Sequence, residues 1–152
     1  MTGGTYTLLI ELPEPAAITV GALGERRFPA GAYAYTGSAL GSGGFSRVDR
    51  HRRVAAGEHD VRHWHVDYLL GHPASRIREV VTTDERDVEC PVAGRLPEGP
   101  ITGFGASDCD CRSHLAGVEA DAGNETTSGA VAALRERVDE AHMRASAAAQ
   151  AE

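Results

Sequence analysis

The chain has no lysine. All 15 of its basic residues are arginine, set against 22 acids, for a formal net charge of −7. A nucleic-acid-binding domain ordinarily carries a basic excess, so the global charge argues against a partner drawn in by long-range attraction to phosphate. The same acid excess, with abundant Ala, Gly and Thr, fits adaptation to high salt and a GC-rich genome. Screening over about 3 Å at molar salt leaves only arginines in contact range with any effect on a polyanion. Long apolar runs are also missing: nothing approaches the ~20 consecutive apolar residues that span a bilayer. The N-terminus shows neither a basic region followed by an apolar run nor a small-residue cleavage site. No membrane association and a cytoplasmic location are the expectations. Cysteine is scarce and odd in number, Cys90, Cys109 and Cys111, which argues against a secreted disulfide framework. Internal repeats are absent.

What is present is one ordinary domain with a tail, in a chain of 152 residues, long enough for a modest two-layer core. Residues 5 to 12 predict a mostly buried strand ending at Pro13. Ile18 to Val20, Gly21 to Gly24 and Arg27-Phe28 predict a hairpin. Ala32 to Thr36 predict a third strand with Tyr33 and Tyr35 on one face. The small-residue loop Gly37 to Gly44 leads into a helix from Phe45 to Ala56, stopped by Gly57. Arg62 to Leu70 begins a second helix or a short ordered stretch, and Ser75 to Thr83 is a strand. A further helix starts at Val88, carries Glu89, Val92, Ala93 and Leu96, and ends at Pro97 and Gly99. Ile101 to Leu115 is loop-rich, and Gly117 to Thr127 reads as a small, acidic linker. Ser128 to Ala149 is a helix capped near Thr127 or Ser128. Its stripe of Val131, Leu134 and Val138 either docks on the core or on a partner, or the helix remains a solvated extension. The expected fold is an α/β domain: a small mixed or antiparallel sheet of about three to five strands, flanked by helices, with a C-terminal helical extension. The expected division is a domain over 1–116, a linker over 117–127 and a helix or tail over 128–152.

Five side chains on these elements carry chemistry. Tyr6 follows Gly4-Thr5 at the start of the first strand; alone, such a tyrosine is most often core. Tyr35 ends a strand and precedes Thr36-Gly37-Ser38, where glycine lets backbone and hydroxyl approach a ligand closely. Arg47 and His51 are an i, i+4 pair on one helix face behind the glycine-rich loop. Arginine suits a phosphate because its planar fork binds two oxygens at once and keeps its charge. Arg50, Arg52 and Arg53 surround the pair as the densest basic cluster, which is either a phosphate-binding surface or a solvated helix face. Glu89 begins a helix after a strand. It is either a ligand for a hard divalent cation or a solvent-facing acid favoured by the helix dipole, with Asp84, Glu85 and Asp87 nearby. Two phenols, a guanidinium, an imidazole and a carboxylate are what single-metal hydrolysis of a phosphodiester requires.

In order and spacing, Gly4-Thr5-Tyr6, Tyr35-Thr36-Gly37, Arg47 with His51, and Glu89 resemble the GIY-YIG nuclease superfamily, over roughly residues 4 to 116. The spacing of the two tyrosines is wider than is common there, and Pro13 to Pro29 accounts for the excess as a hairpin insert. The chain is more closely similar to an uncharacterised, largely prokaryotic branch, domain of unknown function family 123. The stretches that carry this are Gly37-Ser38-Ala39, His63-Trp64-His65-Val66-Asp67-Tyr68-Leu69 and Gly103-Phe104-Gly105-Ala106-Ser107-Asp108-Cys109. The resemblance implies a metal-dependent endonuclease acting on DNA, whether duplex, branched or a repair intermediate. Tyr6 would be the proton acceptor or its relay, Tyr35 and His51 would position water, and Arg47 would stabilise charge on the phosphate. Glu89 would hold Mg2+ or Mn2+, with Ser38 and the neighbouring arginines on the nucleic acid. A protein partner in trans is one source of the sequence specificity that so small a domain lacks, and the sequence leaves it open. Two alternatives stand beside it: a non-catalytic nucleic-acid-binding module on the same scaffold, and an interaction protein built around a Cys/His metal site.

That last alternative rests on Cys109-Asp110-Cys111-Arg112-Ser113-His114. With Cys90 as a fourth ligand it would make a structural Zn2+ site of Cys3His type, although Cys-x-Cys is tighter than the usual gap. A buried cysteine pair or a redox-dependent crosslink are the competing readings. A cysteine nucleophile with His114 as base lacks a third group to orient it. In His63-Trp64-His65-Val66-Asp67-Tyr68, Trp64 and Tyr68 are four apart and suit packing, while His63 or His65 near the cleft is the functional reading.

Overall fold

The nine residues of β1 (Gly4–Leu12) are all buried, because this strand lies inside the sheet and meets a packed layer on each side. The computed structural model describes residues 3–39, 44–58, 65–84, 88–96, 115–119 and 127–151. The elements that follow β1 are β2 (Ala16–Thr19), β3 (Glu25–Phe28), β4 (Gly31–Ser38), α1 (Ser46–Ala55), α2 (His65–Leu70), β5 (Arg76–Asp84), α3 (Glu89–Ala93), β6 (Leu115–Glu119) and α4 (Thr127–Ala151). The main sheet has four strands in the order β5-β1-β4-β6. Every pairing in it is antiparallel. The expected α/β domain with a small sheet and flanking helices is the fold observed, and the sheet is antiparallel rather than mixed.

Alternation along β1 and β4 sends side chains to two different layers. Tyr6, Leu8, Ile10 and Leu12 point one way and join Tyr33 and Tyr35 in the larger core, which α1, α2 and the β2–β3 hairpin cover. The hairpin forms its own two-stranded sheet, and its inward residues Ile18, Val20 and Phe28 are buried. The segment between Pro13 and Pro29 therefore lies on the larger core without interrupting β1 or β4. Tyr68 of α2 packs beside the turn at Gly21.

The opposite face carries Leu9, Ala32, Ala34 and Ala116, and receives Val131, Leu134 and Val138 from α4. The C-terminal stripe thus docks on the sheet, and the reading of α4 as a solvated extension is set aside. Polar contacts also fix it. Thr127 donates to Glu11 Oε2 at 2.6 Å at the start of the helix. Further along, His142 is held between Thr7 and Thr83, each hydroxyl 2.8 Å from one ring nitrogen, and Thr7 in turn bonds Thr36 at 2.9 Å. Burial is the main cause that lowers His142 from 6.5 to about 4, against the raising effect of Asp139. Gly117 to Glu119, expected to begin a linker, are instead strand: β6 pairs with β4, Leu115 opposite Tyr35 and Glu119 opposite Gly31. A long-range partner, not local propensity, makes that segment extended. Among the described residues no helix is long and apolar enough to cross a membrane.

Candidate active site

Antiparallel pairing sets Tyr6 opposite Gly37 and Leu8 opposite Tyr35. Directly opposed residues share a face, so both phenols rise on the side covered by α1. Their ring centroids lie 6.4 Å apart. Gly37 has to lack a side chain here: a Cβ would stand 2.6 Å from Tyr6 Oη, 2.7 Å from Cζ and 3.2 Å from Tyr35 Cε2.

α1 brings His51 onto the pair. Its ring is 5.5 Å from that of Tyr6 and meets Tyr35 edge-on at 6.1 Å. Nε2 of His51 and the Tyr6 hydroxyl share a hydrogen bond of 2.7 Å. Burial is the largest influence on the imidazole and lowers it from 6.5 to about 4. Asp67 opposes that shift, while Arg50 and Arg47 add to it. His51 is therefore neutral near pH 7, with one ring nitrogen as donor and the other as acceptor. Arg47, on the preceding turn, donates from Nη1 to the carbonyl of Ser38. That bond ties the start of α1 to the end of β4 and keeps the guanidinium beside the strand that carries Tyr35.

The arginine cluster divides. Arg52 and Arg53 are exposed, as a phosphate-binding surface would require. Arg50 does not join them. Its two Nη atoms make parallel 3.0 Å bonds to Oδ1 and Oδ2 of Asp67, a bidentate pair in which Asp67 is fully covered. A guanidinium forked by a buried carboxylate has both terminal amino groups engaged within the fold, which sets Arg50 apart from the two exposed arginines. Asp67 is the site residue that the sequence reading passed over. Its Oδ1 also lies 3.9 Å from Nδ1 of His51. The available signal was an acid set between Val66 and Leu69-Leu70 in an apolar helix, since an acid so placed is buried only with a cationic partner.

Glu89 opens α3, and the backbone N–H of Val88 just before it donates to Thr5 Oγ1 at 2.9 Å. The start of α3 is thus anchored to the neighbour of Tyr6. The side chains of Glu89 and Cys90 lie outside the described residues, as do Cys109, Cys111, His114, His63, Trp64, Glu85 and Asp87. Among the described residues no three His, Cys, Asp or Glu gather to hold a metal ion.

Tyr6, Tyr35, His51 and Arg47 are therefore together, Arg52 and Arg53 are exposed elsewhere on α1, and Asp67 of α2, paired with Arg50 of α1, lies beside His51. Neither the curated proteins nor the solved structures contain a match to this chain. A family model does match, over residues 5–140, a span that runs from β1 through most of α4. On that match the chain belongs to the family described as Domain of unknown function DUF123.

Proposed function

We propose that this protein is a divalent-metal-dependent endonuclease of GIY-YIG type, hydrolysing phosphodiester bonds in DNA. The observation that carries the reading is the 2.7 Å bond between Tyr6 and a neutral, buried His51, with Tyr35 and Arg47 beside it. Packing alone does not call for that set. A phenol bonded to a neutral imidazole can pass on its proton, and an arginine next to it can meet the charge that builds on phosphate. In the proposed reaction a lone pair of water oxygen forms the new bond to phosphorus. The bond from phosphorus to the leaving sugar oxygen breaks with its electron pair, and that oxygen takes a proton from solvent. Tyr6 receives or relays the proton of the attacking water, Tyr35 and His51 set its position, and Arg47 holds the phosphate oxygens.

The donor chemistry fits a hard cation, which prefers oxygen ligands: Glu89 would hold it, from a helix start anchored beside Tyr6. Bound magnesium or manganese would withdraw charge from the phosphate and from water. Tyr6 is only 1% exposed and Tyr35 7%, so the scissile phosphate would approach from the partly exposed side of Arg47 and Ser38, with Tyr6 behind them. The burial of Tyr6 and His51 is also the one observation that favours a second reading, a nucleic-acid-binding module that does not cut.

Cleavage of supercoiled plasmid and branched DNA, with and without Mg2+, separates the two. Cutting should require the metal and vanish in Glu89→Ala. Arg47→Ala should lower kcat by about 100-fold, the loss typical of one charge-stabilising donor, with little change in DNA affinity. Cutting without metal, or an Arg47→Ala variant as fast as the parent, overturns the reading; metal-dependent binding without cutting establishes the second one.

A further inference from the structure

Asp67 is the buried charge that the reaction above leaves without a part. Arg50 already grips both of its oxygens at 3.0 Å, which accounts for a buried carboxylate. It does not account for the direction in which the carboxylate lies, with Oδ1 3.9 Å from Nδ1 of His51. That separation is too long for a hydrogen bond. Between two fully buried side chains it is short enough for the charge to choose between the two neutral forms of imidazole. With hydrogen on Nδ1, the positive end of an N–H bond faces the carboxylate. With hydrogen on Nε2, a lone pair faces it, and like charge meets like. The first form leaves Nε2 as an acceptor for the O–H of Tyr6, 2.7 Å away. The second turns Nε2 into a donor, and His51 then has no site for the proton of Tyr6.

We propose that Asp67 is a positioning residue: its carboxylate holds His51 in the Nδ1–H form, so that Nε2 takes the proton of Tyr6 as water attacks. This inference rests on the nuclease reading. The water proton moves to the Tyr6 oxygen while the former Tyr6 proton moves to Nε2, and the imidazolium so formed has Asp67 beside it. After cleavage the proton returns from Nε2 through Tyr6 to solvent. Two cations, Arg50 and Arg47, oppose a charge on His51, and Asp67 is the group that favours it. The arrangement parallels the acid that orients the histidine of a serine hydrolase, with a phenol in place of the serine.

The test is a long-range 1H–15N correlation spectrum of the full chain labelled on histidine nitrogen, at pH 7.5, with His51 assigned by its loss in His51→Gln. The parent should show the Nδ1–H pattern for His51; an Nε2–H pattern overturns the proposal without any variant. Asp67→Asn should shift His51 to the Nε2–H form or a mixture, and an unchanged pattern in the folded variant overturns it. Arg50→Gln removes the ion pair but keeps the carboxylate, and should retain the Nδ1–H form; loss of that form there also overturns it. If Asp67→Asn does not fold, the parent and Arg50→Gln spectra decide. On plasmid, Asp67→Asn should lower kcat by about 100-fold at unchanged KM, the lower end of what a general base contributes. The acid limb of its pH profile should move to lower pH, because Asp67 raises the affinity of His51 for a proton. A parent that never cuts overturns the nuclease reading; a parent that cuts, with Asp67→Asn as fast, overturns this inference alone.

Discussion

A single hydrogen atom decides the geometry at Gly37. Tyr6 lies over the backbone of the neighbouring strand, and the place a methyl would occupy is 2.6 Å from its oxygen. Gly37→Ala should therefore push Tyr6 off His51, destabilise the fold by about 1–3 kcal/mol as overpacking does, and abolish any cleavage. Urea unfolding and the plasmid assay read the two effects separately. The sequence marked Gly37 as a place of close approach, but for a ligand; that the Tyr6 ring occupies the space could not be read from it. Tyr6, Tyr35, Arg47 and His51 were legible, because their helical and strand spacings put them on definite faces. The pairing of Arg50 with Asp67 was not: an acid in an apolar helix signals a buried cationic partner, but a partner seventeen positions away leaves no periodic trace that says which.

The longest element, α4, shows the same limit at a larger scale. Its stripe of Val131, Leu134 and Val138 could be read from the sequence, but the place where it docks could not, and neither could His142. That ring joins α4 to β1 and β5 through Thr7 and Thr83, across most of the chain. β6 was missed for a related reason: it is extended because β4 pairs with it, while its own small residues read as linker. The buried histidines give the fold a dependence on acidity. Both His51 and His142 are lowered from 6.5 to about 4, so the unfolded chain takes up protons first as pH falls. Their stabilisation is complete above about pH 6.5 and lost on descent towards pH 4, up to about 3 kcal/mol for each group. His142→Gln keeps a donor and an acceptor for the threonines and cannot titrate. The variant should match the parent at pH 7.5 and lose about half as much stability as the parent by pH 4, measured as urea midpoints along a pH series.

At the scale of the whole molecule the sheet separates two tasks. One face holds the tyrosines, α1, α2 and the hairpin; the other holds α4, and β1 serves both with alternate side chains. Among the described residues of α1, Arg47, Arg52 and Arg53 are the arginines that the proposed function sets against phosphate, on a chain whose net charge is −7. About three neutralised phosphates give a log–log salt dependence of binding with a slope of about −3. If the proposed function holds, a fluorescence titration of labelled duplex from low to molar salt should return that shallow slope. The rim of the sheet is guarded in another way. β5 borders β1 on one side only, and the register slips between Leu9 and Ile10 so that Arg78 faces no counterpart in the ladder. With Arg76 and Glu79 close by, this border offers a newcomer strand a kinked and charged template instead of a flat row of amides. At high protein concentration that irregularity works against one copy zipping onto the next.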